Sequence, residues 1–142
     1  GVIFFPSEKK LFSAIRNGGA FCNNQKLRVS DNNNLGSAII TYDNQFYLKS
    51  NSFENYKKLI DKAFTTRILG SAARDICFIS EGITDARIWN NTKICDIAAG
   101  IVILEEAGGI ITDFAGKNVT VNSRNVIASN SKFHQEIISL LK

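Results

Sequence analysis

Asp96 is the residue whose type and setting offer chemistry most directly. It stands near the head of Ile94–Gly109, ICDIAAGIVILEEAGG, where Ala98, Ala99 and Gly100 leave room for a close approach. A carboxylate at a helix start has two uses. As an N-cap it accepts hydrogen bonds from the free amides of the first turn. Held at the positive end of the helix dipole, it can instead bind a metal ion. Both readings stay open on this stretch alone. One is a capped core helix, apolar all round through Ile101, Val102, Ile103 and Leu104 and closed by Gly108. The other is a metal ligand. A hard cation such as Mg²⁺ wants several oxygens. The nearest acid pair, Glu105-Glu106, lies roughly two to three turns further along the helix and cannot share an ion with Asp96.

A second junction offers backbone chemistry. At Leu69-Gly70-Ser71-Ala72 small residues open a helix, so the amides of Ser71 and Ala72 are placed to meet an anion or a hydroxyl. A tight turn with no ligand is the competing reading. Other chemistries find no support. The single histidine, His134, rides a terminal helix and is expected at the surface, which leaves no Ser/His/Asp set. Cys22, Cys77 and Cys95 form no CxxC pair, so they read as free thiols of a reducing cytoplasm rather than a zinc site. There is no P-loop, no GxGxxG and no RNA-binding aromatic signature.

These residues need a scaffold, and the chain supplies one in order. Val2–Phe5 and Leu11–Ile15 flank a polar turn, and short strands follow at Ala20–Cys22 and Leu27–Val29, an antiparallel meander by its loop lengths. Ser30–Ser37 is a polar loop, Ala38–Tyr42 a strand, and Asp43–Asn51 has no clean period. Ser52 caps a helix through Lys62, with Phe53, Tyr56, Leu59, Ile60 and Ala63 on one face. Then come a strand at Thr65–Leu69, a helix at Ala72–Ser80, a strand at Ala86–Trp89 and the helix that carries Asp96. Ile110–Asp113 and Val126–Ala128 are strands, and Asn130 caps the last helix. Strand and helix alternate through the second half, which argues for a layered α/β fold.

With 142 residues the chain can bury a real core. A net charge of +4 spread over scattered Lys and Arg gives no concentrated basic patch, so nucleic acid is not a favoured partner. No apolar run reaches membrane-spanning length. Gly1-Val2-Ile3-Phe4-Phe5 reads as a strand already in progress, which leads us to expect further sequence upstream.

Taken together, the motifs resemble the inositol monophosphatase family. Asp96-Ile97-Ala98-Ala99-Gly100 with Glu106-Ala107-Gly108-Gly109 is similar to its second signature, W-D-x-A-A-G-x-x-x-x-x-E-A-G-G. Gly1–Ser30 resembles the family's hairpin and its G-A-F-x-N segment, Arg67–Asp75 its strand-to-helix turn, and Asn125–Asn130 its closing V-[IV]-A-[SA]-N. The resemblance implies a layered α/β sandwich of the inositol monophosphatase or sugar phosphatase type. This chain would be its carboxy-terminal portion: residues 1–30 completing the sheet of an amino-terminal domain, and residues 31–142 forming the carboxy-terminal domain. It also implies a Mg²⁺-dependent, lithium-sensitive phosphatase acting on a phosphorylated inositol or sugar such as fructose 1,6-bisphosphate, in the cytoplasm and often as a homodimer.

By the same resemblance Asp96 is a metal ligand and Gly70, Ser71 and Ala72 contact substrate hydroxyls. Three departures stand out. Cys95 replaces the usual Trp, and Trp89 stands where many inositol-selective members carry a Glu. Arg87 resembles an Arg that reaches a second phosphate in members accepting fructose 1,6-bisphosphate, and is taken as substrate-binding; a solvated strand residue is the alternative. The first signature, D-P-[IL]-D-G-[ST], is absent, so the amino-terminal half that would carry it is an implied partner. The reading from another class is a non-catalytic binding or interaction module that keeps the fold.

Overall fold

The computed structural model describes residues 1–43, 46 and 51–142. The stretch without a clean period therefore falls largely outside the described residues. Four strands, β1 (Val2–Phe5), β2 (Lys10–Ile15), β3 (Gly19–Cys22) and β4 (Gln25–Lys26), form a first antiparallel sheet in that order. The last of these differs from the expected Leu27–Val29. Asn23 and Asn24 both take positive φ, 46° and 71°. A two-residue turn of that kind returns the chain at once, so Cys22 pairs directly with Gln25 and β4 closes at Lys26, with one more bond from the Leu27 amide to the Ala20 carbonyl at 2.8 Å.

The second sheet has the order β6-β5-β7-β9-β8, built from β5 (Ile39–Thr41), β6 (Thr65–Arg67), β7 (Ala86–Asn90), β8 (Ile110–Asp113) and β9 (Asn125–Ser129). β5 runs parallel to β6 and β7; β9 runs antiparallel to β7 and β8. Helices α1 (Ser52–Ile60), α2 (Ala72–Ser80), α3 (Ile94–Glu106) and α4 (His134–Leu141) complete the layers.

Alternation along the strands sorts the side chains into two cores. Trp89, Val126, Ala128 and Ile111 face one way and join Ile76 and Ile79 of α2, Ile97, Ile103 and Leu104 of α3, and Phe12, Ala14 and Ala20 of the first sheet. Ile40, Ala86, Ile88 and Ile127 face the other way onto Leu59 of α1 and Ile137, Ile138 and Leu141 of α4. The result is a layered α/β sandwich: sheet, helix pair, sheet, helix pair. Gly100 allows the inner helix pair to close, since a Cβ there would sit 2.4 Å from Ile76 Cγ2. At the end of α3, Glu106 accepts the Asn17 and Gly19 amides at 2.7 and 2.8 Å and so ties the β2–β3 turn to the helix. Those bonds hold its carboxyl below the usual range.

Three caps and one exposure differ from expectation. Asn51, not Ser52, is the N-cap of α1, and the Ser52 hydroxyl donates to the Phe46 carbonyl instead. Lys93, in extended backbone, is the N-cap of α3; the helix starts earlier and Asp96 falls within its first turn. Ser131 takes a φ of 77°, which delays α4 until His134. Asn130 instead ties the β9 end to the first half of the chain, donating to Ser30 Oγ and the Asn32 carbonyl at 2.8 Å.

His134 is buried rather than exposed, because the inward face of α4 begins with it. Its ring lies 2.8 Å from Ser129 Oγ and 2.9 Å from Thr112 Oγ1. Thr112 Oγ1 in turn donates to the Asp113 carbonyl at 2.8 Å, and Ser129 Oγ accepts the Ser131 amide at 3.2 Å. This network assigns a neutral ring with the proton on Nε2, and burial pushes the imidazole down to about 4. Among the described residues, no helix is long and apolar enough to cross a membrane.

Candidate functional site

A cavity of about 550 Å³ opens where β7 and the loop after it meet the starts of α2 and α3. Gly70, Ser71 and Ala72 form one wall, Arg87 and Trp89 the floor, and Cys95 and Asp96 the other wall. All six site residues singled out in the sequence therefore meet at one cavity. Asp43 lines it too.

Each wall has a local cause. Gly70 takes a φ of +76°, which favours glycine, and a Cβ there would meet nothing within 4 Å, so the backbone faces open space. Ser71 is the N-cap of α2, its side chain accepting the Arg74 amide at 3.3 Å. That leaves the first-turn amides of α2 beside the cavity, at the positive end of the helix dipole. Asp96 occupies the matching place on α3. Its side chain is exposed and makes no capping bond; Cys95 Sγ lies 3.7 Å from its Oδ1. A carboxylate so placed keeps its oxygens available for a ligand.

The floor is charged and buried. Arg87 is buried, contrary to a solvated strand residue, because β7 is the central strand and its neighbour α2 covers it. Its Nη2 donates to Asp43 Oδ1 at 2.5 Å, its Nη1 to the Tyr42 carbonyl, and its Nε faces Asp75 Oδ2 at 3.3 Å. Asp43 Oδ2 accepts the Asn90 amide at 2.7 Å. The guanidinium also lies 5.4 Å from the Trp89 ring centroid, within cation–π range.

Asp75 is fully buried on α2, and no hydrogen bond of normal geometry reaches its carboxyl among the described residues. Burial raises it to about 6 against the pull of Arg87 and the nearby Thr41 hydroxyl. Burial likewise lowers Arg87, opposed by Asp75 and Asp43. Neither Asp43 nor Asp75 stood out in the sequence. Asp75 had a signal: it precedes Ile76 on the inward side of α2. Asp43 had none, since it opens the stretch without a period.

As a metal site the chain is partial. Among the described residues, no group of three or more His, Cys, Asp or Glu could hold an ion together. Asp96 fits one coordination position of a hard cation and no more.

A layered α/β sandwich with a polar cavity where helix starts meet a sheet's strand ends is the architecture of a ligand-binding or catalytic α/β protein. Comparison with known proteins narrows this. The model of the inositol monophosphatase family matches residues 1–142. The chain is 32% identical over 145 residues to the Nus factor SuhB of Pasteurella multocida, covering 100% of this chain and 54% of that protein. It is 33% identical over 141 residues to the fructose-1,6-bisphosphatase/inositol-1-monophosphatase of Thermotoga maritima, covering 99% and 54%. The crystal structure of the extragenic suppressor protein suhB from Bartonella henselae superposes with a TM-score of 0.93 at 33% identity, covering 100% of this chain and 55% of that one. The chain belongs to the inositol monophosphatase family. It spans about half the length of the curated relatives it matches.

Proposed function

We propose that this chain forms the substrate-side wall, and supplies one metal ligand, of a Mg²⁺-dependent phosphatase acting on a phosphate monoester of inositol or a sugar. The observation that carries the reading is the exposed Asp96 carboxylate facing the same cavity as the start of α2. The name of the Thermotoga relative, which joins a sugar bisphosphatase and an inositol monophosphatase, supports that substrate class. Bound Mg²⁺ would polarise phosphoryl oxygens and acidify an attacking water. Within this chain, Asp96 would hold the ion, the Ser71 and Ala72 amides would take substrate hydroxyls, and Trp89 and Arg87 would shape the floor.

One carboxylate does not assemble such a site, so the proposal includes a further segment, the amino-terminal half implied by the missing first signature. The first sheet supports this. Val2, Phe4, Leu11 and Ile15 point away from α3 and remain exposed, an apolar face that an independent module would cover. The test is phosphate release. The 142-residue chain alone should show no Mg²⁺-dependent turnover of inositol 1-phosphate, and supplying an amino-terminal half should restore it. Asp96→Asn should then lower the rate by at least about 100-fold, because a lost ligand removes several kcal/mol of charge stabilisation. Turnover by the chain alone would sink the reading.

A further inference from the structure

Arg87 lines the cavity, but its guanidinium is already engaged. The side chain is 3% exposed. Nη1, Nη2 and Nε are directed at the Tyr42 carbonyl, Asp43 and Asp75. Taking up a phosphate by a guanidinium fork needs two parallel N–H groups open to the ligand. Here each Nη already donates to a protein acceptor and Nε faces Asp75, and two carboxylates flank one cation.

We infer that Arg87 is a positioning residue that fixes Asp43 in the cavity wall, and that Asp43 makes this end of the cavity select the neutral, hydroxyl-bearing part of a polyol monophosphate over a second phosphate. The inference rests on the phosphatase reading of the same cavity and names its substrate class. Asp43 is held from two sides, Oδ1 by Arg87 and Oδ2 by the Asn90 amide. Its side chain keeps 17% exposure. Each carboxylate oxygen has a further lone pair, so Asp43 can accept hydroxyl donors while its geometry stays fixed. A phosphate at that place would meet a carboxylate with no open cation beside it. Among the described residues lining the cavity, Arg87 is the sole cation, against Asp43 and Asp96. Asp96 would be offset by its metal ion; Asp43 would keep its charge toward the ligand. Like-charge juxtaposition of this kind disfavours a ligand.

Trp89 is the single tryptophan and lies on the cavity floor, so its emission reports occupancy. The chain is titrated in Mg²⁺ buffer with myo-inositol 1-phosphate and, separately, with fructose 1,6-bisphosphate. The monophosphate should act at a concentration at least about tenfold lower, the size of one modest charge repulsion. Asp43→Asn should narrow that gap to within about threefold, while Asp43→Glu, which keeps the charge, should preserve it. Far-UV circular dichroism shows that both variants fold, and Asp43→Glu against wild type still decides the question if Asp43→Asn does not. Equal or tighter bisphosphate binding by the wild type, an unchanged ratio in a folded Asp43→Asn, a collapsed ratio in a folded Asp43→Glu, or no response to either ligand overturns the inference. A preserved preference without turnover after the amino-terminal half is added counts against the phosphatase reading alone.

Discussion

The second sheet buries a polar cluster on each face, and the two are built on opposite terms. Behind it, His134, Thr112 and Ser129 are neutral, and each hydrogen has an acceptor. In front, Arg87, Asp75 and Asp43 are ionisable, and Asp75 lacks a hydrogen bond of normal geometry among the described residues. A satisfied neutral network fixes packing at little cost. A buried ion cluster is weak evidence of stabilisation, because desolvation offsets its Coulombic gain. The unsatisfied cluster is the one beside the cavity, where charge has a use; the satisfied one anchors the last helix.

Breaking the front cluster should have the larger effect. Arg87→Met leaves two carboxylates without their cation and should cost about 3–5 kcal/mol, the range for a broken buried pair. Urea unfolding of the chain at pH 7 measures it. A loss below about 1 kcal/mol would show that the cluster is solvated rather than buried.

The next test sets the two clusters against each other by pH. His134 titrates near 4 when folded and near 6.5 when unfolded, so its contribution is complete above 6.5 and is lost as pH falls toward 4. Asp75 does the reverse. Its folded value of about 6 lies above the ordinary 3.8, so stability falls as pH rises from about 3.8 through 6. Each shift is on the order of 3 kcal/mol, and in the wild type they roughly offset. Asp75→Asn removes the acid's half, so the variant should lose about 3 kcal/mol between pH 7 and pH 4 while the wild type stays nearly flat. Unfolding free energies at pH 7, 5 and 4 decide it, and parallel profiles would refute the comparison.

The smallest effect is expected behind the sheet. Thr112→Val keeps the shape but leaves the His134 Nε2 proton without an acceptor, which should cost about 2 kcal/mol. The same thermal or urea measurement reads it, and a neutral result would show that the Thr112–His134 bond contributes nothing to stability.

Much of this was legible in the sequence where punctuation was strong. Gly70 and Ser71 before, and Gly82 after, bracket α2 at Ala72–Ser80 as expected. The small residues around Gly100 announced a close approach, which Ile76 of α2 takes up, and Asp96, singled out from its setting, lines the cavity. What failed was what depends on distant partners. Asp96, Ser52 and Asn130 were all plausible caps by type, yet backbone turns nearby moved the helix starts by one to three residues. His134 looked exposed because no local pattern announces Thr112 and Ser129, which arrive from β8 and β9. For Arg87 a solvated reading stayed open because the acids that pair with it come from α2 and from two residues past β5.

The Glu106 bridge has a kinetic consequence. The first sheet is assembled from neighbouring hairpins, but the carboxylate that holds its β2–β3 turn lies 87 to 89 positions later. Its buried face is likewise completed by α3. Hairpins of this length are marginal by themselves in water. During synthesis, the β2–β3 turn must wait for a residue 87 to 89 positions downstream before it is secured. Loosening α3 should therefore release the sheet with it, and the amides of Asn17 and Gly19 should exchange with solvent together with the helix rather than ahead of it.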